Sequence, residues 1–149
     1  MRKVKREIVG AIILSLDNKV LLGKRKKNIG FDDLWVIPAG GVEEGETQDT
    51  ALSREILEET GVDISKLEKE FVVGGRKAIV EKVLKSGEKV ICEMNLSDYK
   101  VVFQKNSTDI PVKLDETEFA EIGWYSREQT KELNLAEPTR ELLNKINFI

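Results

Sequence analysis

The sequence predicts a single α/β domain, residues 1–149, built on a mixed β-sheet, and three observations carry that prediction. A chain of 149 residues is the size of one domain with a substantial core. Short apolar runs separated by Asn, Gly and Ser turns recur along most of it, which is the pattern of strands. Two stretches carry apolar residues at helical spacing instead: Ala51, Leu52, Ile56 and Leu57, and Leu142, Leu143 and Ile146.

Each element has a local reason. Ile8 to Leu16 and Val20 to Lys24 read as strands joined by a hairpin turn at Asp17-Asn18. Trp35-Val36-Ile37 is a short strand that leads through Pro38 into a glycine pair, Gly40-Gly41. Thr47 can cap a helix whose first turn holds Gln48 and Asp49, where the helix dipole favours polar and acidic groups. Gly61 stands where a left-handed C-cap is wanted. Phe71 to Val73, Ala78 to Leu84, Val90 to Met94, Tyr99 to Phe103 and Phe119 to Tyr125 read as further strands, with Ser86-Gly87 turning one hairpin. In the last of these, Ala120, Ile122 and Trp124 share one face. Ser126 and Gln129 form a capping box for a short helix, and Pro138 opens the final one.

The chemistry concentrates between Gly40 and Val62. A glycine-rich loop feeds a helix carrying Glu55, Glu58 and Glu59, which are related by i,i+3 and i,i+4 steps and so gather on one side. Like charges at that spacing destabilise a helix by about 0.2–0.5 kcal/mol per pair, a cost that a bound cation offsets. Magnesium prefers such oxygen ligands and is commonly held by one or two carboxylates plus substrate phosphates.

Composition narrows the alternatives. With 24 basic and 27 acidic residues the net charge is −3, which gives no support for nucleic acid as the main partner. A single cysteine, Cys92 in an apolar run, excludes an internal disulfide, and the absence of histidine excludes Cys-His and Ser-His-Asp catalysis. Any general base is then expected to be a carboxylate. No signal-peptide cleavage pattern and no stretch of membrane-spanning length is evident, so a cytoplasmic location without membrane association is expected.

The run Gly40-Gly41-Val42-Glu43-Glu44-Gly45-Glu46, followed by Arg54-Glu55, Glu58-Glu59 and Gly61-Val62, resembles the signature of the Nudix hydrolases at every defining position. The resemblance implies a Nudix-type α/β/α sandwich with the motif helix on one face. It also implies hydrolysis of a nucleoside diphosphate linked to another moiety, written NDP–X, with Mg²⁺ as cofactor and Mn²⁺ able to substitute. Carried onto this chain, Glu58 and Glu59 are core metal ligands, Glu55 is a third ligand or the residue that activates water, and Arg54 orients a catalytic glutamate. The Gly40 carbonyl completes the metal shell, and Glu46 has a supporting role. Homodimers are common among such proteins.

Beyond the motif the resemblance implies less. An acidic residue about six positions ahead of a late tryptophan often serves as an extra ligand or base, and Trp124 points to Glu118, with Glu116 as competitor. Arg25 ends the second strand, where similar proteins present a basic side chain to substrate. The phrase Ile37-Pro38-Ala39-Gly40-Gly41 is similar to the loop of several nucleotide-sugar hydrolases, and Gly41 is expected to bind substrate. Trp35 can stack on a base or sugar, or pack in the core. No proline lies between Pro38 and Pro111, so the subfamily proline of ADP-ribose hydrolases is missing, and X stays open between nucleoside triphosphate and nucleotide-sugar types. Two other activities compatible with the fold are a catalytically silent nucleotide-binding sensor and an isopentenyl diphosphate isomerase, the latter poorly served by Cys92.

Overall fold

The structure is a computed structural model that describes residues 1–149. Its strands are β1 (Arg2–Leu14), β2 (Val20–Arg25), β3 (Trp35–Val36), β4 (Ala39–Gly41), β5 (Glu70–Val83), β6 (Lys89–Val102) and β7 (Phe119–Tyr125). The helices are α1 (Gln48–Thr60), α2 (Arg127–Lys131) and α3 (Glu137–Lys145). All seven strands join one sheet in the order β3-β2-β1-β6-β5, with β4 paired to β1 and β7 paired to β2. The β1–β6 pair is parallel and the others are antiparallel, so the sheet is mixed.

Alternation along β1 builds two cores. Val9, Ala11 and Ile13 pack with Ala51, Leu52 and Ile56 of α1 on one face, and Ile12 packs with Val20, Leu22, Leu142 and Leu143 on the other. Successive side chains of a strand point to opposite faces, so one strand feeds both layers. The result is a sheet covered by α1 on one side and α3 on the other. No helix is long and apolar enough to cross a membrane.

Helix ends follow their chemistry. The Thr47 side chain accepts from the Thr50 amide, and Gly61, at φ 73°, sends its own amide to the Leu57 carbonyl. Ser126 and Gln129 form the reciprocal capping box. Asn18, at φ 62°, makes the β1–β2 turn, and Gly87, at φ 88°, makes the β5–β6 turn.

The structure departs from the sequence reading in four places. The run 71–73 and the run 78–84 are one strand, because Gly75 at φ 71° forms a bulge between Val73 and Arg76 that the strand passes through. Likewise 90–94 and 99–103 join in β6, since the polar Asn95 and Ser97-Asp98 remain in register with β1. β1 begins at Arg2 because its charged first half pairs in parallel with Val90–Asn95 and carries no apolar signal. Leu57 and Ala120 are exposed, so neither anchors its element.

Candidate active site

Three elements converge on the acidic helix. β4 pairs with β1, Val9 opposite Gly40 and Ile8 opposite Gly41, which lays the glycine pair alongside α1. A side chain at Gly40 would overlap the Glu55 carboxylate, so glycine is what lets Glu55 lie against the loop. β7 pairs with β2, and the Phe119 ring packs so closely on Gly23 that a Cβ there would come within 2.6 Å of it. That packing brings Glu118, the residue before β7, to the same cavity.

Arg54 is the hub of the motif. Its Nε and Nη2 donate to the two Glu46 oxygens at 2.8 Å each, Nη1 donates to Glu55 Oε1 at 2.9 Å and Glu58 Oε2 at 3.3 Å, and Nη2 also reaches the Gly41 carbonyl at 3.0 Å. The fork geometry of guanidinium suits this multiple engagement in a way an ammonium cannot. The Arg54 bonds, with help from the Glu43 amide, hold the Glu46 carboxyl down to about 2.

The glutamates differ sharply in environment. Glu59 is 8% exposed and its Oε2 has no hydrogen-bond partner. Burial, reinforced by Glu118 and Glu55, pushes its carboxyl up to about 9, against a smaller opposing pull from Arg25. Burial also raises Glu55, and Arg54 works against that rise. Glu58 sits one position before Glu59 and about 100° round the helix; its side chain is 59% exposed. Spacing put the three on one side, but the structure turns Glu59 inward and leaves Glu58 outside the cavity.

Glu118 and Arg25, which the sequence assigned to separate tasks, form one ion pair at 2.7 Å. Arg25 Nη2 and Nε donate as well to the carbonyls of Ile29 and Gly30. Glu116 is exposed and does not line the cavity. Trp35 does not line it either: it is 8% exposed and packs edge-on against Tyr125 with ring centroids 5.1 Å apart. A large aromatic on a two-residue strand between two apolar neighbours fills core, so a stacking role at the substrate is not supported by its placement. Cys92 is buried.

The cavity itself measures about 300 Å³ and is bordered by Gly40, Gly41, Glu55, Glu59, Glu118 and Arg25 at its acidic end. Arg6, Arg76 and Asp98 also line it, and no sequence motif announced them. Only the β1–β6–β5 register, which joins residues far apart in the chain, brings them together.

No three acidic side chains stand close enough as arranged to grip a metal ion by themselves. Arg54 and Arg25 draw Glu55, Glu58 and Glu118 toward guanidinium instead. The donor set nevertheless fits a hard divalent cation, which needs only one or two carboxylates when phosphate oxygens complete its shell. The buried, unpartnered Glu59 oxygen beside two further carboxylates is the feature that such a cation would satisfy.

A two-faced sheet with a glycine loop feeding an arginine-clamped acidic helix defines the class. Residues 4–146 match the NUDIX domain, and the chain belongs to the Nudix hydrolase family, whose members generally use divalent metal ions. Over 70 residues it is 37% identical to an RNA pyrophosphohydrolase of Bartonella clarridgeiae, which takes in 44% of this chain and 40% of that one. Over 50 residues it is 52% identical to an ADP-ribose pyrophosphatase of Methanocaldococcus jannaschii, 34% of this chain and 29% of that one. The matches therefore span well under two thirds of these relatives. In fold it is similar to the NUDIX domain of Shewanella oneidensis NrtR, solved with ADP ribose, at a TM-score of 0.69 and 19% identity over 97% of this chain and 87% of that one.

Proposed function

We propose that the chain is a Mg²⁺-dependent pyrophosphohydrolase, with Mn²⁺ able to substitute, that cleaves NDP–X to a nucleoside monophosphate and phospho-X by water attack at phosphorus. The observation that carries this reading is the Glu59 carboxyl group, buried and unpartnered beside Glu55 and Glu118 in a cavity of about 300 Å³. A divalent cation bound there supplies charge neutralisation of the diphosphate and polarisation of the P–O bond.

The chain's own residues do the rest. Glu59 and the Gly40 carbonyl would hold the cation, with Glu118 lining the same cavity and Glu58 turning in from outside it. Arg54 fixes the orientation of Glu55 through the 2.9 Å bond. Glu55, whose carboxyl burial pushes upward, takes the proton from the attacking water. The water oxygen joins phosphorus, the bridging P–O bond breaks, and phospho-X leaves with its electron pair. Arg25, freed from Glu118, meets the negative charge of the phosphates. Positioning and preorganised charge supply most of the effect.

The test is turnover with Mg²⁺ on nucleoside triphosphates, nucleotide sugars and ADP-ribose, with Glu59→Gln and Glu55→Gln alongside. Robust turnover of one class, lost in both variants with folding intact, supports the reading. One observation favours a second reading, binding without hydrolysis: three of the carboxylates are held by arginines. Ligand-induced thermal stabilisation with no turnover of any substrate would select that sensor role.

A further inference from the structure

The cavity wall on β6 and β5 carries a charged pair that pyrophosphate chemistry does not use. Asp98 is 4% exposed, and its Oδ2 accepts from Arg76 Nη2 at 2.9 Å. Arg76 Nη1 is committed to the Pro138 carbonyl at 3.1 Å and Glu141 at 3.2 Å, and its Nε is buried without a partner. Both residues line the cavity, among the apolar side chains of Ile37, Val80, Phe119 and Leu142. Asp98 Oδ1 accepts no hydrogen bond from the protein. It lies over Gly10, where a Cβ would approach it to 2.6 Å, so the glycine leaves room for this oxygen.

A clamp that merely docked α3 on the sheet would need Arg76 to reach Pro138 and Glu141, but it would not need a free carboxylate oxygen in a cavity. An ionised carboxylate is an acceptor only; both Nη groups of Arg76 already carry bonds, and its unpartnered Nε is buried out of a ligand's reach. What Asp98 adds to this wall is therefore one strong acceptor, Oδ1, in a cavity also lined by Ile37, Val80, Phe119 and Leu142. A heteroaromatic ring with an amino group at its edge matches it, and the same ring with an oxo group turns a lone pair toward a negative charge. We propose that Asp98 is the base-selecting residue of this site, accepting a hydrogen bond from the exocyclic amino group of the nucleobase and rejecting bases that carry oxygen there.

This rests on the reading that the cavity receives a nucleotide, and the test separates the two. Equilibrium binding of AMP against IMP, and of CMP against UMP, is measured calorimetrically for the protein and for Asp98→Asn, without metal. The wild type is expected to prefer the amino bases by about ten- to a hundredfold, the usual effect of a hydrogen bond to a charged group. Asp98→Asn, whose amide both donates and accepts, should narrow that preference to within about threefold. Equal binding of AMP and IMP by the wild type overturns the assignment, as does a preference that Asp98→Asn leaves unchanged. If Asp98→Asn does not fold, Asp98→Glu, which keeps the charge for Arg76 but moves the acceptor, is measured in its place and should likewise narrow the preference. Hydrolysis without base preference removes this assignment alone; base-selective binding without hydrolysis removes only the catalytic reading.

Discussion

The Glu55 carboxylate occupies the space in which a side chain at Gly40 would stand. The loop and the helix are thus complementary at a single atom, and the acidic end of the cavity depends on that fit. Gly40→Ala is expected to displace Glu55 and lower kcat/KM at least tenfold, since small misplacements of reacting groups cost that much. Circular dichroism should show an intact fold. Unchanged kinetics would mean that Glu55 has no role at this position.

Arg54 joins four groups of the motif at once. Arg54→Lys retains the charge but cannot make the paired bonds to Glu46 while also reaching Glu55 and Gly41. We expect a lowered Tm together with a loss of turnover greater than tenfold. Glu46→Gln, which touches Arg54 but not the cavity, should lower Tm with a smaller effect on turnover. Equal losses in the two variants would show that Arg54 acts only on stability.

Glu59 ties stability to pH. Its folded-state pKa of about 9 lies above the ordinary carboxyl value, so the neutral form stabilises the metal-free fold. That contribution is fully present below the unfolded pKa, near 4.3, and is lost as pH rises through about 9, at no more than about 1.4 kcal/mol per pH unit. Metal-free protein should therefore show a Tm that falls from neutral to alkaline pH, and Glu59→Gln should flatten that slope. Added Mg²⁺ should stabilise the wild type most at high pH, where it no longer competes with a proton. A parallel decline in wild type and Glu59→Gln would place the pH dependence elsewhere.

Trp35 separates packing from recognition. Its 8% exposure and edge contact with Tyr125 predict that Trp35→Ala costs about 3–5 kcal/mol of stability. The milder Trp35→Phe should leave KM within about twofold. A large KM rise without loss of stability would return Trp35 to the substrate.

Much of the fold was legible because its signals are local. The caps at Thr47, Gly61 and Ser126 depend on residues a few positions apart, and the turns at Asn18 and Gly87 depend on backbone freedom. The long β5 and β6 strands were not legible. Gly74-Gly75 and Asn95 to Asp98 read as interruptions, and only pairing across the sheet carries the chain through them.

The acidic motif, its helix and the mixed-sheet architecture were determined by the sequence itself, because fixed spacing on one helix and one loop sets which groups travel together. The tertiary structure decided which glutamate faces inward: neighbouring helical positions point about 100° apart, and only packing of α1 on the sheet selects Glu59 over Glu58. It also joined Arg25 to Glu118 and Arg76 to Asp98, pairs separated by 93 and 22 residues. Strand register, not sequence proximity, sets such distances. That is why the acidic end of the cavity was visible in the chain, while the Arg76–Asp98 wall appeared only once the sheet was assembled.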